Sequence, residues 1–295
     1  MSFTIPDDSA SAAPRPGLVV GDEVVDLSDP AVGLPSTMAE ILALGPAGLA
    51  RAGTAGSTTA VHHPLDSVRR HAPVPDPPTI LAIGMNYRAH VAEMGREPPE
   101  YQYWFNKQRT SIAGPDDPIV LPLASSMVDY EGELAMVIGP RCQNVPADRA
   151  MEVVAGFTVI NDVSARDWQW RTPTFTVGKS FDSHAPCGPE MVTTDELGDP
   201  GNLALRTWVN DELRQDSTTA DLIFDCAAMI AYLTTAFPLE PGTIIATGTP
   251  AGVGAGSDPP RFLADGDVVR IEIEGIGTLR NPVVQGGPPV PVGLD

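Results

Sequence analysis

The pattern of apolar positions changes near residue 79. Beyond that point, short apolar runs rich in Val and Ile are separated by turns that contain Gly or Pro. The clearest runs are TILAIG (79–84), DPIVLP (117–122), GELAMVIG (132–139), AGFTVIN (155–161), LALRTWVN (203–210), TIIATG (243–248) and DVVRIEIEG (267–275). Helical spacing occurs at residues 147–154 and 219–235. Because strands and helices do not alternate regularly, the pattern predicts a mainly β (α+β) fold with a few helices rather than a Rossmann fold or TIM barrel.

The first 75 residues show a different pattern. Residues 1–16 are polar and rich in Pro and Ser, so we expect a flexible N-terminus. Residues 17–29 predict a hairpin around Gly21-Asp22, and residues 36–53 have helical spacing. A proline-rich segment at 73–78 indicates a domain boundary. We therefore predict a small N-terminal domain (17–75), a large β-rich domain (76–283) and a Pro/Gly-rich tail (284–295) that lies on the surface or on a partner subunit.

The charge balance restricts the partners that we expect. With 38 acidic and 18 basic residues, the formal net charge is −20. Nucleic acids and anionic membranes bind clustered Lys and Arg, so we expect neither as a partner. The three cysteines form no CxxC pair, which argues against a zinc site or a disulfide framework. Because no signal peptide or membrane span is evident, we expect a soluble cytoplasmic protein.

Three carboxylates stand beside or within the apolar runs. Glu131 and Glu133 are two positions apart on a predicted strand, so their side chains project from the same face. Asp162 follows AGFTVIN and could join them from a neighbouring strand, while Asp129 extends the face of Glu131 and Glu133. Buried carboxylates need a neutralising cation, and an all-carboxylate site favours Mg²⁺, Mn²⁺ or Ca²⁺ over zinc. The alternative is a solvated acidic face.

Other polar residues could form part of a site. His90 and Glu93 would share one face of a helical turn, where Glu93 could orient the imidazole as a general base; the alternative is a surface pair. Lys179 lies in a GKS triplet that lacks the first glycine of a phosphate loop, but it could still bind an anionic substrate. Arg166 and Gln169 could bind carboxylate or carbonyl groups, or be structural. The Gly-rich turn at 246–256 could offer N–H groups to a carboxylate, or be a tight loop.

Five sequence blocks resemble the fumarylacetoacetate hydrolase family. They extend over most of the segment from 79 to 283 and read GMNYRAHVAE (84–93), DYEGELAMVIG (129–139), NDVSARDWQ (161–169), GKSFDSHAPCGP (178–189) and IATGTPAGVG (245–254). The resemblance implies a catalytic domain of the mixed β-roll or sandwich type, preceded by a small β-rich domain. It also implies a homodimer with Mg²⁺, Mn²⁺ or Ca²⁺ in the site.

The resemblance also implies roles for individual residues, including a His–Glu dyad carried on a lid that orders when substrate binds. By position, the residues that match the family are the metal ligands Glu131, Glu133 and Asp162, the catalytic residues His90, Glu93 and Lys179, and the substrate-binding residues Arg166, Gln169 and Thr249.

The implied reaction is hydrolysis of a C–C bond in a 1,3-dicarbonyl oxo acid such as an acylpyruvate. His90, oriented by Glu93, would activate a water that attacks the distal carbonyl, and the electrons would flow into an enolate held by the metal. Lys179 would stabilise the developing oxyanion. Oxaloacetate decarboxylation and isomerisation or tautomerisation of an oxo-dienedioate use the same enolate chemistry and remain open. A non-catalytic metal-binding protein is the alternative from a different class.

Overall fold

The computed structural model describes residues 1–6, 9 and 12–287. Strands predominate, so the prediction of a mainly β (α+β) fold is confirmed. In chain order the strands are β1 (Ser2–Thr4), β2 (Arg15–Val20), β3 (Glu23–Asp26), β4 (His62–Pro64), β5 (Arg69–His71), β6 (Ile80–Gly84), β7 (Tyr103–Lys107), β8 (Ile112–Ala113), β9 (Ile119–Leu121), β10 (Val128–Asp129), β11 (Gly132–Ile138), β12 (Val154–Asn161), β13 (Ser164–Ala165), β14 (Ala185–Thr193), β15 (Ala204–Val209), β16 (Glu212–Thr218), β17 (Ile244–Ala246), β18 (Val268–Ile273) and β19 (Gly277–Gln285).

The helices are short. They are α1 (Met38–Ala43), α2 (Pro46–Gly53), α3 (Arg88–Glu93), α4 (Arg166–Gln169), α5 (Thr194–Leu197) and α6 (Cys226–Ala236). Turns of 3₁₀ helix cover Ala55–Ser57, Leu65–Ser67, Arg109–Ser111, Ala147–Val153, Pro200–Asn202, Thr219–Asp221 and Gly254–Gly256. None of the helices in the described residues combines the length and the apolar character needed to span a bilayer.

Three sheets form most of the structure. Their strand orders are β4-β3-β2-β1-β5, β7-β6-β17-β11-β12-β14-β8 and β16-β15-β18-β19-β9, while β10 and β13 form a separate pair. Strands β11 and β12 lie in the middle of the seven-stranded sheet and are buried along their whole length. Leu134 and Met136 of β11 join one apolar cluster, and Ala135 and Val137 join another. Strands covered on both faces need apolar residues at successive positions, which explains the continuous run LAMVI.

The predicted flexible N-terminus at 1–16 is wrong for Ser2–Thr4. This segment is strand β1, which pairs with both β2 and β5. Phe3 is buried and packs with Met1 and Val24. Burial of one large aromatic side chain stabilises the fold by about 2 kcal/mol. The prediction used the average polarity of 16 residues, which does not show the effect of a single aromatic residue. Residues 7, 8, 10 and 11 of the predicted segment lie outside the described residues.

The predicted hairpin is confirmed, but the helices differ from the prediction. Strands β2 and β3 pair across a turn at Gly21, whose φ is +60°. Residues 36–53 form two helices instead of one, because Gly45 has a φ of +62° and Pro46 cannot donate a helical hydrogen bond. The predicted helix at 219–235 begins later, at Cys226, because the Asp225 side chain caps the first turn of α6. Residues 147–153 form a 3₁₀ turn.

The predicted domain boundaries can be compared with the sheets. Strand β5 ends at His71 and β6 begins at Ile80, so the proline-rich segment connects the small sheet to the large one. Strand β19 pairs with β9 up to Gln285, two residues past the predicted end of the catalytic domain. Residues 288–295 of the predicted tail lie outside the described residues. The division at residues 75 and 76 stays a prediction.

Candidate metal and active site

The three predicted carboxylates meet at one end of the β11–β12 pair. Glu133 lies on β11, Glu131 directly precedes it, and Asp162 directly follows β12. Because the strands are antiparallel, with Gly132 opposite Asn161, the start of one meets the end of the other. One carboxylate oxygen from each acid lies within 4.8 Å of the others, and all three acids are buried. The predicted clustering is confirmed, while the role of these acids as metal ligands stays a prediction.

Three buried cations compensate two of the acids. Lys179 Nζ lies 2.7 Å from Glu131 Oε2 and 2.7 Å from Asp162 Oδ2. Lys107 Nζ lies 2.5 Å from Asp162 Oδ1, and Arg166 Nη1 lies 2.5 Å from Glu131 Oε1. Burial alone would raise the pKa of Glu131, but Lys179 and Arg166 hold it below its usual value. Glu131 is therefore ionised at neutral pH.

Glu133 makes no ion pair with any described residue. Its Oε2 accepts a hydrogen bond of 2.7 Å from the Gly248 backbone N–H. Burial, and then the neighbouring charges of Asp162 and Glu131, raise the pKa of Glu133 well above its usual value. A divalent cation among the three carboxylates would remove this repulsion, and three carboxylate donors suit Mg²⁺, Mn²⁺ or Ca²⁺. The donor set and its missing positive charge thus fit a hard divalent cation.

Lys107 is a residue of this site that the sequence analysis missed. It ends β7, in which Phe105 and Lys107 are buried and the intervening Asn106 is exposed. Its Nζ also donates to Val163 O at 3.1 Å. Burial lowers the pKa of Lys107, and the Asp162 carboxylate opposes this shift. The available signal was the period of two in YWFNK, which places the lysine on the same side as Phe105.

Asp129 does not belong to the carboxylate cluster, although the sequence predicted a shared face. It lies on β10, which pairs with β13 and not with β12, so the chain changes partner before Glu131. Asp129 Oδ2 accepts from Arg166 Nη2 at 2.8 Å. Its two oxygens also accept from the backbone N–H groups of Gly254 and Ala255, at 2.8 and 2.9 Å. Asp129 therefore ties Arg166 to the Gly-rich loop.

The predicted dyad is present on helix α3. His90 Nδ1 lies 3.0 Å from Glu93 Oε2, so Nδ1 is the nitrogen that donates to the carboxylate and Nε2 is left to accept a proton. Glu93 Oε1 accepts from the Gly252 N–H at 2.8 Å. The dyad is thereby fixed to the same Gly-rich loop that Asp129 holds. Its catalytic role stays a prediction.

A cavity of about 710 Å³ brings most of these groups together. Of the nine predicted site residues, those that line it are His90, Glu131, Glu133, Arg166, Gln169, Lys179 and Thr249. Glu93 and Asp162 lie outside the lining and reach it through hydrogen bonds to His90 and Lys179. The Thr249 hydroxyl donates to Gly132 O at 3.1 Å and accepts from Gln215 Nε2 at 2.8 Å, which fixes the start of the Gly-rich loop.

One wall of the cavity is aromatic, and the sequence analysis did not identify it. The Phe175 ring lies 5.3 Å from that of Tyr103 and 5.9 Å from that of Phe105, measured between centroids. The Tyr103 hydroxyl donates to Pro173 O. These contacts join β7 to the loop that follows α4, two segments about 70 residues apart in the chain. The periodicity within a single segment does not predict a contact between two distant segments.

Residues 79–284 match the sequence model of the family described as fumarylacetoacetate (FAA) hydrolase, C-terminal. The match extends over more than half of the chain and includes the site. This protein therefore belongs to the fumarylacetoacetate hydrolase family of enzymes.

Individual relatives perform different reactions. The mitochondrial oxaloacetate tautomerase of Xenopus laevis is 42% identical over 280 residues, which are 94% of this chain and 88% of that protein. The maleylpyruvate hydrolase of Sphingobium sp. SYK-6, solved with manganese(II) and pyruvate, is 33% identical with a TM-score of 0.77; the match covers 97% of this chain and 100% of that one. The fumarylacetoacetate hydrolase of Exiguobacterium antarcticum is 36% identical with a TM-score of 0.82 and the same coverage.

Proposed function

We propose that this protein is a divalent-metal-dependent enzyme that interconverts the keto and enol forms of oxaloacetate or a related 2-oxo acid. The observation that carries the proposal is that His90 lines the same cavity as Glu131 and Glu133, two members of the carboxylate cluster. A proton acceptor and a cation site are the two groups that enolisation next to a 2-oxo group requires. Similarity to the oxaloacetate tautomerase of Xenopus laevis supports the same chemistry.

Glu131, Glu133 and Asp162 would hold the cation, with Mg²⁺ as the proposed physiological metal and Mn²⁺ or Ca²⁺ as alternatives. Bound there, a divalent cation supplies Lewis acidity and orients a 2-oxo acid. Arg166, Gln169 and Thr249 are the proposed contacts of the substrate carboxylate and carbonyl groups. Lys107 and Lys179 form ion pairs with two of these three acids, Asp162 and Glu131.

The chain itself would move the proton. His90 Nε2 takes the proton from the carbon next to the 2-oxo group and returns it to that carbon in the reverse direction. Glu93 keeps Nδ1 protonated and stabilises the imidazolium that forms. Lys179 is proposed to stabilise the negative charge that develops on the 2-oxo oxygen.

C–C hydrolysis, the reaction predicted from the sequence, is the second candidate. The specific observation in its favour is the similarity to a maleylpyruvate hydrolase that was solved with manganese(II) and pyruvate. In this reaction His90 would remove a proton from water instead of carbon, and the water would attack the distal carbonyl of an acylpyruvate.

Substrate comparison with metal-free and Mn²⁺-loaded protein tests the proposal. We expect the loaded protein to accelerate the ultraviolet absorbance decay of enol-oxaloacetate without release of pyruvate. Cleavage of acetylpyruvate or maleylpyruvate into pyruvate and a carboxylic acid, without enol decay, would select the second candidate. Pyruvate and CO₂ from oxaloacetate would indicate decarboxylation. Mn²⁺ binding without turnover of any of these acids would indicate a non-catalytic metal-binding protein.

Two further expectations stay predictions. The homodimer implied by the family resemblance can be tested by light scattering on the purified protein. The cytoplasmic location can be tested by fractionation of the native cells, and the mitochondrial location in the names of the vertebrate relatives makes this a necessary control.

A further inference from the structure

The Gly-rich loop (residues 246–256) gives several backbone N–H groups to carboxylates of the protein itself. The Gly248 N–H donates to Glu133, and the Gly252 N–H donates to Glu93, at 2.7 and 2.8 Å. Two further N–H groups of the loop donate to Asp129. Because these donors are occupied by protein side chains, the loop fixes three acids in or beside the site.

Gly252 is the residue at which this loop meets the dyad. Its φ of +103° is a backbone conformation that glycine adopts without strain. A Cβ atom at this position would lie 1.9 Å from the backbone oxygen of Arg214, which no side chain could tolerate. Only glycine therefore brings this N–H group to Glu93 in the observed loop conformation.

Tyr130 binds the other polar group of Gly252. Its hydroxyl donates to Gly252 O at 2.8 Å, and the side chain lies between β10 and β11 in the apolar core, where the residue is 1% exposed. Burial, and then the charge of Asp129, raise the pKa of Tyr130 above its usual value. The hydroxyl thus stays protonated and remains a donor, and Gly252 is held through both its C=O and its N–H.

Three hydrogen bonds connect the Tyr130 hydroxyl to the proposed base. After the bond to Gly252, the second joins Gly252 N to Glu93 Oε1 at 2.8 Å, and the third joins Glu93 Oε2 to His90 Nδ1 at 3.0 Å. Tyr130 is not one of the described residues that line the cavity. Any influence of its hydroxyl on His90 therefore passes through the loop and the Glu93 carboxylate, which selects the imidazole tautomer.

We infer that Tyr130 is a positioning residue, whose hydroxyl fixes Gly252 so that Glu93 keeps His90 protonated at Nδ1. The inference rests on the proposed function for the role of His90 as a base, and it adds a residue outside the cavity on which that base depends. The tautomer of His90 is a property of the protein alone, so it can be measured whichever reaction the enzyme performs.

Nuclear magnetic resonance of protein with ¹⁵N-labelled histidine tests the inference directly. Tyr130→Phe removes the hydroxyl and keeps the buried ring. The Mg²⁺-loaded protein is diamagnetic, and at about pH 8 an ordinary imidazole is neutral. We expect His90 of the wild-type protein to be mainly the Nδ1–H form. In Tyr130→Phe the ratio of Nδ1–H to Nε2–H should fall by about fivefold, the ratio that loss of one hydrogen bond supplies. His90→Gln identifies the signal.

A double-mutant cycle with Glu93→Ala separates positioning from a purely structural role. In otherwise wild-type, Mn²⁺-loaded protein, Tyr130→Phe should lower kcat by about tenfold through misplacement of the base, with KM within about twofold. In the Glu93→Ala background it should change kcat by less than about twofold, because Gly252 no longer has a carboxylate to hold. A residue that only stabilises the fold would have the same effect in both backgrounds.

Tyr232→Phe is the matched control. It removes the same hydroxyl from an exposed position on α6 outside the cavity lining, and it should keep the wild-type tautomer ratio and kcat. The inference is overturned by an unchanged tautomer ratio in Tyr130→Phe, by a wild-type His90 that is mainly Nε2–H, or by equal losses of kcat in the two backgrounds. Failure of the proposed function is recognised separately. In that case Tyr130→Phe shifts the tautomer ratio, which supports the positioning role, while the wild-type protein turns over none of the oxo acids.

Discussion

The two ends of the cavity are built in different ways. At the inner end, Asp162 directly follows the central strand β12 and Lys107 ends the edge strand β7, and their side chains are at most 1% exposed. At the outer end, His90 and Glu93 lie on a single short helix, with side chains that are 11% and 18% exposed. The inner end is fixed by several ion pairs, whereas one hydrogen bond from Gly252 holds the outer dyad to the loop.

This difference separates two tasks. Charges fixed in a buried core are organised before any ligand arrives, which suits the binding of a cation. The outer dyad lies on a helix that is held by hydrogen bonds of Arg88, Ala89 and Glu93 instead of buried ion pairs, and it is accessible from the solvent side, which suits the part of a site that handles the substrate.

The largest expected effect is at the inner end. Glu133→Gln should reduce Mn²⁺ affinity more than ~100-fold and abolish activity. Loss of a group that only hydrogen-bonds to a metal ligand already lowers metal affinity by up to about 100-fold, so loss of a ligand itself should lower it further. The metal-free variant should nevertheless be more stable than the wild-type protein, since the substitution removes repulsion from Asp162 and Glu131. Calorimetric Mn²⁺ titration and urea unfolding measure the two effects.

Glu152→Gln is the control for this prediction. Glu152 is exposed and pairs with Arg149 at 2.7 Å, so its loss should change neither Mn²⁺ affinity nor activity. Unchanged Mn²⁺ affinity in Glu133→Gln would contradict the assignment of the inner end as the metal site.

The second effect is at the outer end and should separate the two regions. His90→Gln should lower kcat by about 10²–10⁴-fold, the usual contribution of a general base, and leave Mn²⁺ affinity within about twofold. The control is His62→Gln, because His62 forms a similar pair with Glu23 at 2.8 Å on a partly exposed strand of the small sheet. A parallel loss of metal affinity in His90→Gln would show that the two ends are not independent.

The sequence predicted those parts of the site that depend on local spacing. Glu131 and Glu133 follow from the alternation of side chains along one strand, and His90 and Glu93 follow from one helical turn. Lys179, Arg166 and Gln169 were candidates from their residue types, and the family resemblance gave them roles and added Thr249. The β-rich fold was predictable because most strands are short, apolar and bounded by Gly or Pro.

The remaining features depend on tertiary pairing. Lys107 reaches Asp162 because β7 lies at the edge of the seven-stranded sheet beside β6, a neighbour that no local pattern specifies. Asp129 does not lie on the same face as Glu131 and Glu133, because β10 pairs with β13 whereas β11 pairs with β12. Long-range contacts of this kind are not encoded in the period of a single segment.

The third prediction tests the energetic role of burial. Lys107→Met should lower the free energy of unfolding of the metal-free protein by about 3 kcal/mol, because it leaves part of the buried Asp162 charge uncompensated. The control is Arg109→Met. Arg109 lies 2.5 Å from Asp76, the same distance as in the Lys107 pair, but both side chains are more than half exposed. Its loss should change stability by less than about 0.5 kcal/mol in urea unfolding.

The smallest expected effect is pH-dependent and concerns His184, a buried residue whose pKa is also influenced by Lys107. Burial and then Lys107 lower the pKa of His184 from 6.5 to about 3. The imidazole is therefore neutral in the folded protein at pH 5, whereas it is protonated in the unfolded chain, so stability falls as the pH decreases below 6.5. This residue should account for about 2 kcal/mol of the loss between pH 7.5 and pH 5. Urea unfolding of His184→Gln at both pH values should show a loss smaller by that amount, and His62→Gln, which removes a partly exposed imidazole, should resemble the wild-type protein. An equal loss in His184→Gln and the wild-type protein would mean that burial does not keep His184 neutral at pH 5.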